Sequence, residues 1–561
     1  MDEHNTQKRI HQAVLDSLSW LDELPSQESE ILAKTKKEAE SLITVYNGIT
    51  ETTVQPVSVP AVARSGALLR PALILTAMLI LAAGFLGLRS NGFIQSTPLD
   101  AVTQPAGSDE TPGTPGLPAA MDARENLQSQ TLPLDRIDLQ VEPDLLWNSE
   151  TGILTEGENV IKNNLPFKNT VYRKMKDNGV KVDGELVYQS GEGAVLFRDS
   201  VRLGLAGDFS LDMPQKSFLI DAKDGSFDFP LFDDREASSY PTLLLRNSGN
   251  DSMFTRIQDG VQHRLIEKHT DANLLTQAWR PVQVYLNGEY WGMYNMREAL
   301  DAHTICRYEQ IPDEQADAVS LLAINGRAIQ GDAKPYKELL SKLKESDPAN
   351  NPEDLAYLEQ EVDIDSFLDW LTVEMYFGNS DIGTGKVYKI PGGKWKCLIM
   401  DLDYALYDSR FNSVQSYLKE EGMGQKKINN IIFRKILSVD KYKDLFFTKL
   451  GNLFKSLTSS VMEGEVDACV AWIEPGMKAH IDRWAPCYDK NVISDVPTTP
   501  EKGWEYWQQR IARLRNVMRK RPTRLYNFIQ EYFGMTDEEM AVYFPTDIPR
   551  NVDDVVTLPQ N

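Results

Sequence analysis

Three acidic residues in the segment 378–404 are the residues of this 561-residue chain best suited to chemistry. Asp381 lies in a glycine-rich stretch, and Asp401 and Asp403 follow the apolar run 397–400. A short apolar run is typical of a buried strand, and carboxylates at its end need a compensating charge. Mg²⁺ often supplies that charge, together with substrate phosphates. The spacing is compatible with phosphoryl transfer, in which one Asp is the base and a later Asp binds metal. The alternative is a polar hairpin whose Asp residues cap turns.

Four further charged residues occur in apolar, strand-like surroundings. Lys216, in PQKSFLI, alternates with apolar residues on one strand face, so it needs a partner or a phosphate unless it reaches water. Glu298 follows YWGMYNMR at the end of a predicted strand and is a candidate site residue. The alternative is an ordinary surface residue at a strand end. Arg246 and Arg256 flank a turn in LLLRNSGNDSMFTR, and they are further candidates for anchoring a phosphate.

Composition excludes several classes of function. The net charge of −23 argues against a partner that is nucleic acid. The basic run between 510 and 524 lies beside an apolar stripe, which favours a solvated helix face. The four Cys form no CxxC pair, which disfavours a structural zinc site. Cys469 and Cys487 form a disulfide only in an oxidising compartment.

Residues 71–88 form an uncharged stretch of 18 residues, long enough for a short transmembrane helix. A core helix or a secretory signal is the alternative, but the flanks are polar and a signal peptide lies nearer the N-terminus. Arg64 and Arg70 precede the stretch and Arg89 follows it. The positive-inside rule then predicts a cytoplasmic N-terminus and an extracytoplasmic C-terminal part.

The hydrophobic periodicity divides the chain into five parts. We predict a helical segment over 1–50 with a possible cytoplasmic partner, a transmembrane helix over 71–89 and a Pro/Gly/Thr-rich stalk over 90–136. A globular domain follows over 137–535, and residues 536–561 form an acidic, poorly ordered tail. Strand patterns precede helical ones, with Asn287-Gly288 as a hairpin turn. The predicted fold class is α+β.

Five segments in order resemble the spore-coat protein H (CotH) kinase family: PQKSF, LLLRNSGNDSMFTR, RPVQVYLNGEYWGMYNMREALD, GNSDIGTGKVY and GGKWKCLIMDLDYALYD. The resemblance spans about 140–535. It implies a divergent protein-kinase-like domain that uses ATP with Mg²⁺ or Mn²⁺. By position, Lys216 resembles the family's phosphate-contacting lysine and Glu298 its partner. Asp381 resembles the catalytic-loop acid, and Asp401 and Asp403 resemble the metal-binding acids.

The sequence departs from the family's pattern in three places. Gly385 and Lys386 stand where Asn is common, Ile257 where Asp often follows Arg, and Met400 where Trp is common. Two functions therefore stay open. The first is a membrane-anchored kinase that transfers the γ-phosphate of ATP to Ser or Thr of a protein substrate. The second is a catalytically weak or inactive scaffold of the cell envelope, favoured by the departures and by the scarcity of ATP outside the cytoplasm.

Overall fold

The computed structural model describes residues 134–155, 170–233, 235–237, 239–419, 429–488 and 496–555. The predicted helical segment 1–50, the transmembrane helix 71–89 and nearly all of the stalk 90–136 lie outside these residues. Within the described residues, no helix combines the length and the apolar composition that crossing a bilayer requires.

Seven strands close into a barrel, in the order β1-β2-β3-β4-β5-β7-β6. β1 and β6 are parallel, and the other neighbours are antiparallel. The Asn287-Gly288 turn joins β6 to β7 with φ of 51° and 81°, so the predicted hairpin is confirmed. The strands are β1 Arg136–Val141, β2 Lys181–Gln189, β3 Val195–Ala206, β4 Ser217–Ala222, β5 Thr242–Arg246, β6 Trp279–Leu286 and β7 Glu289–Glu298.

A smaller antiparallel sheet, in the order β11-β10-β8-β9, leads to the acidic segment. Its strands are β8 Ser320–Ala323, β9 Ala328–Gln330, β10 Lys386–Lys389 and β11 Lys396–Leu398. Cys397 and Leu398 of the apolar run before Asp401 are buried residues of β11, so the predicted buried strand is confirmed for the first half of the run. Gly385 precedes β10, and a Cβ on it would lie 2.6 Å from Trp370 Cζ2, so an Asn does not fit there without rearrangement.

The helices follow mainly after the barrel, which confirms the predicted order of strands first and helices later. They are α1 Pro143–Trp147, α2 Thr170–Asp177, α3 Gln258–His269, α4 Ala302–Tyr308, α5 Lys334–Glu345, α6 Pro352–Glu361, α7 Ile364–Phe377, α8 Ser413–Leu418, α9 Ile431–Leu437, α10 Asp440–Ser456, α11 Ser459–Trp484, α12 Pro500–Phe533 and α13 Asp537–Tyr543. Every residue of α7 except Asp365 is buried, so this helix is the centre of the helical core.

The prediction of a poorly ordered tail after 535 is wrong for the described residues up to Val555. α13 begins with a capping box between Thr536 and Glu539. Met540 and Phe544 are buried, and Phe544 contacts the ring of Phe454 on α10. Two apolar residues among many acids are enough to dock this segment, and the net acidity of the tail concealed them.

The four cysteines are free thiols. Cys469 is buried on α11 and Cys487 is half-buried beyond its end.

Candidate functional site

Arg246, Asp401 and Asp403 form one partly buried cluster between the barrel and the helical part. Nη2 of Arg246, at the end of β5, lies 2.6 Å from Oδ1 of Asp401 and 2.9 Å from Oδ2 of Asp403. The backbone N–H of Asn250 also donates to Oδ2 of Asp403, at 2.9 Å. Three of the residues predicted from the sequence are therefore brought together, and Asn250 is added from the same turn.

The cluster is short of positive charge. One guanidinium faces two carboxylates, and Asp403 is only 3 % exposed. Burial, followed by the charge of Asp401, raises the pKa of Asp403 to about 8 despite the opposing effect of Arg246. Burial lowers the pKa of Arg246, but the negative charges of Asp401, Asp259 and Asp403 outweigh burial. The pKa of Arg246 is therefore raised above its usual value. A further proton or cation would offset the second carboxylate.

The backbone conformation around the cluster lets the side chains of Arg246 and Asp403 come close together. Asp401 has a φ of 60°, in the left-handed region that costs a non-glycine residue about 1–2 kcal/mol. Gly249 also has a φ of 60°, and a Cβ on it would overlap the Asp403 carboxylate and lie 2.6 Å from Arg246 Nη2. Only glycine leaves space for the guanidinium and the carboxylate to meet here.

Helix α3 holds the backbone that carries the two aspartates. Oδ1 of Asp259 accepts the N–H of Leu402 at 2.7 Å, and its other oxygen is paired with Arg297 of β7, which is fully buried. Gln262 Nε2 donates to the carbonyl of Leu402 at 2.8 Å. Burial opposes ionisation of Asp259, but Arg297 and Arg246 hold its pKa well below its usual range. The left-handed Asp401 is thus maintained by its neighbours.

Asp381 lies in the loop after α7, which ends at Gly378 with a φ of 62°. Asn379 Oδ1 accepts the N–H of Asp381 at 3.0 Å, and the carbonyl of Asp381 accepts the N–H of Thr384 at 3.2 Å. Arg521 of α12 is fully buried and donates to the carbonyls of Met375 and other residues at the end of α7. The loop is therefore fixed from both sides.

The interpretation of the basic run as a solvated helix face is wrong for Arg521. A Cβ on Gly378 would lie 2.7 Å from Arg521 Cζ, so the guanidinium packs directly on the loop. Its neighbours Arg515 and Arg519 pair with Asp467 and Glu463. The sequence pattern could not separate Arg521 from its neighbours, because what sets Arg521 apart is its hydrogen bonds to distant backbone carbonyls.

Asp381 and Asp401 act on the same buried groups. Glu374 of α7 is 1 % exposed, and burial, with smaller contributions from Asp381 and Asp401, raises its pKa to about 8. Burial and then Asp403, with smaller contributions from Asp381 and Asp401, also raises the pKa of Tyr404. The three predicted acids thus share one region, and Glu374 is a fourth carboxyl group that no motif indicated.

The structure places Lys216 against backbone carbonyls, and its phosphate-contacting role stays a prediction. It is buried, and its ammonium donates to the carbonyls of Leu211 and Met213, both at 2.7 Å, and lies 4.3 Å from the ring centre of Tyr172. Lys216 is buried and has partners, as its position in the sequence predicts, but those partners are backbone carbonyls of the turn that precedes β4.

The predicted pairing of Lys216 with Glu298 is wrong. In the barrel register, Glu298 is level with Leu243 and Ile220, four residues along β4 from Lys216, or about 13 Å. The carboxylate of Glu298 instead accepts from Arg235 at 3.0 Å and Arg307 at 2.9 Å.

Arg256 lies outside the acidic cluster, and its role as a phosphate anchor stays a prediction. It has a φ of 64°, and its guanidinium donates to the carbonyls of Met293 at 2.8 Å and Ser252 at 3.0 Å. Burial lowers its pKa. The side chain fastens the turn after β5 to β7.

We expect Lys216→Met to destabilise the fold without selectively weakening nucleotide binding. The substitution leaves two buried carbonyls without their donor, which costs about 1–3 kcal/mol. Thermal unfolding measures that loss, and calorimetric titration with an ATP analogue measures binding. A variant with unchanged unfolding temperature and nucleotide affinity at least tenfold weaker would support the phosphate-contacting role.

Asp401 and Asp403 fit a divalent cation by their chemistry. Mg²⁺ is commonly held by one or two carboxylates, with water and phosphate oxygens completing its shell. Among the described residues, no group of three or more His, Cys, Asp or Glu is arranged to hold a metal by itself. The two aspartates, short of positive charge and held rigidly, match a site of the phosphate-assisted kind.

The fold and the acidic cluster agree with the comparison with known families. A family model described as CotH kinase protein matches residues 203–525, which is more than half of the chain. The chain belongs to the CotH kinase family. No curated protein matches it.

Proposed function

We propose that this protein is a kinase that transfers the γ-phosphate of ATP to a Ser or Thr hydroxyl of a protein, with Mg²⁺ or Mn²⁺. The observation that carries the proposal is the cluster of Asp401, Asp403 and Arg246 in a member of this family. Its two carboxylates are held by fixed backbone and carry more negative charge than Arg246 offsets, and carboxylates so placed suit a metal ion that assists phosphoryl transfer.

Asp401 and Asp403 would hold the divalent cation. When bound, the cation offsets charge on the phosphate oxygens. Asn250 fixes Asp403 through its backbone N–H, and Asp259 fixes the intervening Leu402. Arg246 contacts both carboxylates and would add a positive charge near bound phosphates.

Asp381 would orient the acceptor hydroxyl and accept its proton. A base must be held within hydrogen-bond reach of the proton it takes, so a fixed loop favours this role. The Asn379 side chain, the Thr384 backbone and Arg521 fix the loop that carries it.

A catalytically weak scaffold is the second candidate. Arg246 already offsets part of the charge of both aspartates, and Lys216, the expected phosphate ligand, is engaged by carbonyls. Such a cluster is compatible with a fold that persists without a metal ion.

Transfer of labelled γ-phosphate separates the two candidates. The full-length chain is incubated with ATP, Mg²⁺ or Mn²⁺ and a Ser/Thr-rich protein acceptor, beside the Asp381→Asn variant. The kinase proposal expects metal-dependent labelling of Ser or Thr that the variant lacks. No labelling with either metal would favour the scaffold, and equal labelling by both proteins would remove Asp381 from the role of base.

Membrane anchoring through 71–88, with the kinase domain extracytoplasmic and 1–50 facing a cytoplasmic partner, stays a proposal. We expect a reporter fused after residue 125 to be extracytoplasmic and one fused before residue 60 to be cytoplasmic, because the positive charges before the stretch favour that orientation. The reverse pattern would place the site in the cytoplasm.

A further inference from the structure

A buried polar network lies beneath the Asp381 loop, and two of its members, Glu374 and Tyr417, have no part in the mechanism above. Glu374 on α7, Asn379 in the loop and Tyr417 on α8 are each at most 1 % exposed. Oη of Tyr417 lies 3.1 Å from Oε2 of Glu374 and 3.2 Å from the carbonyl oxygen of Asn379. Asn379 in turn accepts the N–H of Asp381 through its side chain. The network connects Glu374 to the backbone of Asp381.

The number of hydrogens decides the protonation state that suits this network. A tyrosine hydroxyl carries one hydrogen, while a carbonyl and an ionised carboxylate only accept. With Glu374 ionised, Tyr417 can satisfy fully only one of its two acceptors. With Glu374 neutral, its own O–H donates to Oη of Tyr417, and Tyr417 donates to Asn379. Both contacts then contain a hydrogen.

We propose that Glu374, as a neutral carboxylic acid, is a positioning residue for Asp381, and that its ionisation frees the Asn379 carbonyl and lowers turnover at alkaline pH. The expected effect on turnover rests on the kinase function proposed above. The effect on folding is independent of that function.

Groups on several elements act on Glu374. Tyr417 contacts it from α8, while Asp381 of the loop, Asp401 after β11 and Cys397 of β11 act on it electrostatically. Arg521 of α12 acts electrostatically on Tyr417. Burial is the largest effect and raises the pKa of Glu374 to about 8; the hydrogen bonds of Tyr417 and Asn379 oppose this rise, and the charges of Asp381 and Asp401 add to it.

The raised pKa of Glu374 determines how the stability of the fold changes with pH. The folded-state pKa of Glu374 is higher than its ordinary value, so the stability that the neutral group contributes is complete below the ordinary pKa. It is lost as the pH rises toward about 8.

Glu374→Gln in the full chain tests the proposal, since the Gln amide can donate to Tyr417 and cannot ionise. We expect the unfolding temperature of the wild type to fall more steeply than that of the variant between roughly pH 5 and 8. We also expect the variant to keep its kcat at alkaline pH where the wild type loses up to ~10-fold per pH unit. Glu359→Gln, an ion-paired surface carboxyl, is the matched control and should follow the wild type.

Tyr417→Phe removes the link and is the second variant. We expect kcat to fall by ~10-fold or more while KM for ATP stays within about twofold, since Asp401 and Asp403 are untouched. Parallel unfolding curves against pH for the wild type and Glu374→Gln would overturn the proposal. A difference between those curves without any phosphotransfer would retain the neutral Glu374 and refute the kinase function instead.

Discussion

Asp381→Asn is expected to lower kcat by about 100-fold to 10,000-fold, the range that a positioned general base contributes. The substitution keeps the shape of the side chain and removes its ability to take a proton. The loop should stay in place, because Asn379 and Thr384 bind the backbone of Asp381 rather than its carboxylate. Metal-dependent nucleotide binding should therefore change little, and rate measurements with saturating ATP show the loss.

Asp317→Asn is the matched control, because Asp317 is an exposed aspartate of the same domain. It should leave kcat unchanged. If Asp381→Asn retained more than half of the wild-type kcat, another group would have to accept the proton, and the assignment of Asp381 would be wrong.

Asp403→Asn is expected to weaken transition-state stabilisation by about 2–4 kcal/mol, judged by the loss of other electrostatic stabilisers. Without metal the same variant should be more stable than the wild type at pH 8. The pKa of Asp403 in the fold is raised to about 8, so the fold loses stability as the pH rises from the ordinary carboxyl range toward that value. Asn does not ionise and escapes this loss.

Thermal unfolding at pH 5 and pH 8, with and without Mg²⁺, measures both effects of the Asp403 substitution. Mg²⁺ should raise the unfolding temperature of the wild type at pH 8 and have little effect on the variant. A similar Mg²⁺ response in both proteins would remove Asp403 from the metal site.

The acidic cluster was predictable because its signal is local in the sequence. A buried strand places Asp401 and Asp403 at its end, and the turn after β5 carries both Arg246 and Asn250. The Asn287-Gly288 hairpin was predictable for the same reason, since both residues tolerate positive φ.

The other candidate residues make contacts that spacing does not encode. Lys216 has the alternation of a residue on the barrel's inner face, but its partners are carbonyls of the preceding turn. Glu298 meets two arginines instead of a lysine. In the sequence Arg521 resembles its solvated neighbours, and only the packing of α12 on the end of α7 sets it apart.

The supporting residues were beyond the sequence altogether. Asp259 is more than 140 positions from Leu402, and Glu374 is surrounded by apolar residues of α7 with no motif around it. Closure of the seven-stranded barrel likewise depends on the pairing of β1 with β6, which no short-range pattern reveals.

Binding of an ATP analogue that cannot be hydrolysed, with Mn²⁺ followed by electron paramagnetic resonance, tests the central claim most directly. The full-length wild type should bind Mn²⁺ with the nucleotide, and the Asp401→Asn/Asp403→Asn double variant, folded and soluble, should bind neither tightly. Equal Mn²⁺ and nucleotide binding by the wild type and the double variant would contradict the assignment of this cluster as the nucleotide-metal site.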